Sequence, residues 1–201
     1  MKTYRLRTGI FVFIYLGMMV VSSYGQRHRM GQFATSLSTG IMDRIPTGLW
    51  FKNDQQGLLA SVDFVRYTQA EHYWKIGYQY DRKYYVPLAD YTLQSERHTL
   101  EFAYAPMSVH NYQRSFYISP ILGIFSGIET INQDRRELPV GLITAQGRFT
   151  FGSSFGLEGE VYLTDKFSLV GGLIERWYGV TDLSRLHTQA QVGLRFTFNS
   201  L

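Results

Sequence analysis

Residues 187 to 200, HTQAQVGLRFTFNS, alternate without a break. Thr188, Ala190, Val192, Leu194, Phe196 and Phe198 share one face of an extended strand, and His187, Gln189, Gln191, Gly193, Arg195, Thr197 and Asn199 share the other. A period of two held for about a dozen residues exceeds the usual globular strand and is enough to cross a bilayer at a tilt of about 45°. The same alternation recurs upstream. Over 32–41, Phe33, Thr35, Leu37 and Ile41 oppose Gln32, Ala34, Ser36, Ser38 and Gly40; over 57–67, Leu58, Ala60, Val62 and Phe64 oppose Ser61 and Asp63. Trp74, Ile76, Tyr78 and Tyr80 then oppose Lys75, Gly77, Gln79 and Asp81, and over 94–105 Leu100, Phe102 and Tyr104 oppose Thr99, Glu101 and Ala103. A fifth strand over 115–127 contains Pro120, which removes a ladder donor, so a bulge or boundary is expected there. The sixth sets Phe149, Phe151, Phe155, Leu157, Val161 and Leu163 against Arg148, Thr150, Ser154, Glu158 and Glu160. The seventh, 167–178, holds Glu175 beside Arg176, which leaves its facing open.

The pattern predicts an all-β fold, an eight-stranded antiparallel barrel. Connections at 69–71 and 164–166 are tight, those at 43–56, 83–92, 128–146 and 179–186 are longer, and only 106–114 breaks the alternation. Outer-membrane barrels have short periplasmic turns and longer external loops, with both termini periplasmic. Trp74, Tyr104, Phe116, Phe167 and Phe198 then fall at the periplasmic interface, and Tyr80, Phe149 and Trp177 near the outer one. A soluble lipocalin-like barrel would have the same period with its faces reversed. Strand-end aromatics and small residues on the polar face favour the transmembrane version. So does the order Gln191, Gly193, Phe196, Phe198, which resembles the C-terminal signal read by the barrel-insertion machinery of bacterial outer membranes.

The N-terminus adds an address. Lys2, Arg5 and Arg7 precede an apolar run from Gly9 to Val21, and Ser23 and Gly25 supply the small residues before a cut ahead of Gln26. Residues 1–25 therefore read as a signal peptide and 26–201 as one outer-membrane barrel domain, since the apolar run is shorter than the roughly 20 residues of a spanning helix. Removing the leader takes away three positive charges and no negative ones, so the net charge of +4 becomes +1. With no clustered basic face, direct nucleic-acid binding is not predicted. The absence of cysteine excludes disulfides, thiolate chemistry and a lipoprotein anchor.

An eight-stranded barrel is just wide enough to be filled by its own side chains. The inward charges Asp63, Lys75, Asp81, Glu101, Arg148, Glu158, Glu160 and Arg195 carry both signs and read as a structural network of mutual partners. Glu158 and Glu160 lie two apart on one face, and their plainest role is to pair with Arg148 and Arg195 rather than to perform acid–base chemistry. His28, His72, His98, His110 and His187 show no metal-ligand spacing. A lipid A-modifying barrel enzyme would need a serine and a histidine on one face, yet His98 and His187 are each followed by threonine. No catalytic residue, cofactor or metal site is predicted.

The segments GIETIN (127–132), FGSSFGLEGEVYLTDKFSLV (151–170) and GVTDLSRLHTQAQVGLRFTFN (179–199), with Gln26 and Arg27 at the expected mature start, resemble the TraO proteins of conjugative transposons in Bacteroidota. The resemblance implies an outer-membrane component of a conjugative DNA-transfer apparatus; physically, a filled barrel of this size would serve as an anchor or scaffold that contacts other transfer proteins through 128–146 or 106–114. It supplies no catalytic motif. A general small outer-membrane barrel with adhesive or membrane-stabilising duties is the alternative.

Overall fold

The computed structural model describes residues 28, 30–43, 57–69, 71–88, 91–132, 137–138, 141–142, 147–181 and 183–198. The expected signal peptide, most of the connection 43–56 and most of 128–146 lie outside the described residues. Eight long strands follow one another: β1 (Phe33–Met42), β2 (Gly57–Gln69), β3 (His72–Leu88), β4 (Tyr91–Ala105), β5 (Phe116–Ile131), β6 (Arg148–Tyr162), β7 (Phe167–Tyr178) and β8 (Leu186–Phe198). Each pairs antiparallel with its chain neighbours. β1 also pairs with β8 from Phe33↔Phe198 to Met42↔Gln189, and β4 with β5, so the sheet closes into an up-and-down barrel. Among the described residues no helix is long and apolar enough to cross a membrane.

Burial follows the period of two. Phe33, Leu37, Leu58, Phe64, Ile76, Leu100, Ile124, Phe155, Leu173 and Leu194 are exposed on the outside, while Ser36, Asp63, Lys75, Arg97, Glu129, Glu158 and Arg195 are buried inside. A soluble barrel would bury the first set and expose the second. The facing of β7 is resolved, because Arg176 points inward and fully buried, and Glu175 on the other face accepts a hydrogen bond from the Thr188 hydroxyl.

We call the end holding the start of β1 and the finish of β8 proximal, and the opposite end distal. Proximal connections follow Gln69, Ala105 and Tyr162, the last two spanning 106–115 and 163–166. At 106–115, Val109–His110 continues the β4 side of the hairpin against Ile118 and Tyr117. No bulge forms at Pro120, which keeps register with Leu157; the β4 ladder ends at Tyr104↔Leu122, so the proline faces the gap before that short continuation.

The distal end departs from expectation. The stretch 83–92, read as a long connection, is mostly strand: β3 and β4 remain paired to Leu88↔Tyr91. An apolar cluster of Tyr85, Leu93 and Ile131, with Leu183 packed against it, holds the base of this hairpin. β5 likewise continues past residue 127, to Ile131. The first residue of β2, Gly57, is level with Lys83, so the β3–β4 hairpin rises four or five residues, roughly 15 Å, above that point of the wall.

Candidate functional site

The lumen gathers most of the buried ionisable side chains among the described residues, and it does so in tiers. Alternation alone brings Lys75 from β3, Glu158 and Glu160 from β6 and Arg195 from β8 to the proximal tier. Arg195 donates from Nη2 to Glu158 at 2.5 Å and from Nη1 to Glu160 at 2.7 Å. Glu158 also accepts from Lys75 Nζ at 3.0 Å and the Tyr73 hydroxyl at 2.8 Å, and Glu160 from the Ser168 hydroxyl at 2.5 Å. His28 closes this tier from outside the strand set. Its φ of 54° is left-handed, its ring stacks on Tyr117 with centroids 3.9 Å apart, and its Nε2 lies 3.2 Å from Glu160.

In the middle tier Arg176 pairs with Glu101 and donates to Thr99 Oγ1 at 3.1 Å, while the Ser154 hydroxyl donates to Glu101. Asp63 accepts from the Ser36 hydroxyl at 3.3 Å. Two glycines make room for these carboxylates. A Cβ at Gly77 would collide with Asp63 Oδ1, and one at Gly123 would crowd Ser154 Oγ and Glu101 Oε1.

The distal tier centres on Arg97, which donates from Nε to Glu129 at 2.8 Å, lies 3.7 Å from Asp81 and sits 4.5 Å over the Tyr178 ring. At the distal mouth Asp43, just past β1, gathers three groups from β3 and β8. It accepts from Lys83, from the Thr188 amide at 2.9 Å and, at 2.6 Å, faces His187 Nδ1. Burial pushes the Asp43 carboxyl up, but hydrogen bonds and charge from His187 and Lys83 outweigh it and hold the group below its ordinary value.

Of the eight charges expected inside, Asp63, Lys75, Asp81, Glu101, Glu158, Glu160 and Arg195 line the lumen. Arg148 does not belong to the buried set. It has the inward parity of Thr150 but starts β6 at the rim and is exposed, so Arg195 and Lys75 are the cations on Glu158 and Glu160. The sequence pattern left the facing of Arg176 open and did not place Arg97, Glu129, Lys83, Asp43 or His28 in the lumen. Parity alone finds Arg97, which lies inside the 94–105 strand in phase with Thr99 and Glu101, and would have found Glu129 had its strand been drawn to full length; nothing local marks His28. Phe196 and Phe198 lie on the outer face at the proximal end, their rings 5.0 Å apart and Phe196 4.9 Å from Phe167, with Gln191 and Gly193 on the inner face of the same strand. Among the described residues no group of three or more His, Asp and Glu side chains suits a metal ion.

A closed eight-stranded meander, apolar outside and ion-paired inside, defines the fold of a small outer-membrane β-barrel. It is similar to the attachment invasion locus protein Ail of Yersinia pestis (TM-score 0.54, 9% identity, 84% of this chain and 99% of that one). It is also similar to a major outer membrane protein of Thermus thermophilus (TM-score 0.53, 11% identity, 83% and 99%) and to the Neisserial surface protein A (TM-score 0.51, 10% identity, 84% and 97%). The sequence matches the model of the conjugative transposon protein TraO over residues 29–198, and the chain belongs to that family. No curated protein matches it.

Proposed function

We propose that this protein is a non-enzymatic outer-membrane anchor or scaffold of a conjugative-transposon DNA-transfer apparatus, exported by a cleaved leader at residues 1–25. Its partners are outer-membrane lipids, the barrel-insertion machinery, which reads Gln191, Gly193, Phe196 and Phe198, and other transfer proteins. The proximal end is periplasmic and the distal end external. The observation that carries this reading is a TraO-family chain whose barrel lumen is crossed at three levels by buried ion pairs, Arg195–Glu158/Glu160, Arg176–Glu101 and Arg97–Glu129. A lumen so occupied offers no route for a DNA strand, and the role left to the barrel is to hold a position in the membrane and present its ends.

The test is a mating assay with a donor deleted for this gene. Transfer is expected to fall to background while growth is unchanged, and a plasmid copy of the gene to restore it. Transfer at wild-type frequency in the deletion would refute the assignment.

A further inference from the structure

The outer wall is apolar around most of the proximal half, with one exception. Arg66 of β2 points outward and is exposed, and among the described residues no carboxylate lies within ion-pair distance of it. It is the only Lys, Arg, Asp or Glu on the outward face of the described strands in that half. Its guanidinium carbon sits 5.5 Å over the Phe33 ring, level with Trp74, which stacks on Tyr104 at 4.2 Å. Directly above this aromatic row, Phe64, Ile76 and Phe102 line a groove of about 410 Å³ that reaches Arg66 at its proximal end. A second groove of about 330 Å³ shares Ile76 and Phe102 and continues past Leu100 to Ile124. From the level of Trp74 to that of Tyr78, which pairs with Leu100, the path covers four residues, roughly 14 Å along the strand, which at a tilt of about 45° is about a third of the depth of the ~30 Å hydrocarbon core.

We infer that this face binds one glycerophospholipid of the periplasmic leaflet, with an acyl chain along the Phe64–Ile76–Phe102 groove and its phosphate on Arg66. A lone guanidinium at the interface, backed by a ring, matches a phosphate in charge and fork geometry, and the apolar channel starts at that same residue. The inference rests on the membrane placement proposed above.

The test uses the full-length mature protein in detergent, stripped of lipid, reloaded with phosphatidylglycerol or phosphatidylethanolamine and read by native mass spectrometry. Folded barrel is checked by heat-shifted gel mobility. Wild type is expected to retain one lipid of either headgroup. Arg66→Gln, an exposed change, is expected to lower retention about tenfold or more. Arg185→Gln, at an exposed distal arginine, is expected to leave it unchanged. Equal retention by Arg66→Gln and wild type overturns the site, as does displacement of the lipid by inorganic phosphate alone. A wild-type protein that enters neither micelles nor vesicles overturns the membrane placement itself, a result distinct from both.

Discussion

Replacing Arg195 by Ala removes the cation shared by two buried carboxylates. Arg195 is 1% exposed and donates to both Glu158 and Glu160, so the loss is not screened by water. Glu158 keeps Lys75 and Tyr73, whereas Glu160 is left with the Ser168 and Tyr67 hydroxyls and His28. Removing one partner of a buried ion pair costs about 3–5 kcal/mol, and two charge-assisted hydrogen bonds at about 1.5–3 kcal/mol each give about 3–6 kcal/mol, an overlapping range. If the orphaned charge on Glu160 is the chief penalty, adding Glu160→Gln to Arg195→Ala should recover about 1–2 kcal/mol. Arg148→Ala, at the exposed rim, should stay within about 0.5 kcal/mol of wild type. The assay is reversible urea unfolding of the refolded barrel in micelles, followed by tryptophan fluorescence. An Arg195→Ala barrel no weaker than Arg148→Ala, or no recovery in the double variant, would refute the network's account of stability.

Two further outcomes are expected. Replacing Phe196 and Phe198 by Ser should reduce assembled barrel in the outer membrane fraction more than the same changes at Phe149 and Phe151; equal losses would mean that the C-terminal pattern is not read as a signal. Asp43 has a folded pKa below the ordinary 3.8, so the unfolded chain binds protons more readily and the contact stabilises fully above that value, then is lost as pH falls through the folded one. In urea unfolding at about pH 6 and about pH 3, Asp43→Asn should narrow the difference between the two conditions relative to wild type, and an unchanged difference would exclude the Asp43–His187–Lys83 contact as its source.

The barrel was legible in the sequence because period two decides facing residue by residue. Lys75 and Arg195 could not be turned to lipid without a cost of about 2–4 kcal/mol at the midplane. What alternation does not encode is depth along the axis. Arg148 and Glu158 have the same parity, yet one stands at the rim and the other is buried. Strand ends beyond the apolar belt were equally hard to see. Gln94, Glu96 and His98 face outward on β4 and are as polar as the inward Ser95 and Arg97, so alternation fades there although pairing continues. Glu129, in a segment read as a long connection, was lost for the same reason. His28 enters the lumen from before β1, and its place depends on Tyr67, Tyr117 and Glu160, all distant in sequence.

The tall β3–β4 hairpin gives the distal mouth a direction. A cylinder with a level rim looks the same from every compass point, and a partner settling on it could spin freely. Here one arc carries a mast pinned at Tyr85 and Leu93, while β1 stops at Met42. Among the described residues the distal rim is therefore uneven, and contact with that hairpin would fix the barrel's azimuth as well as its depth.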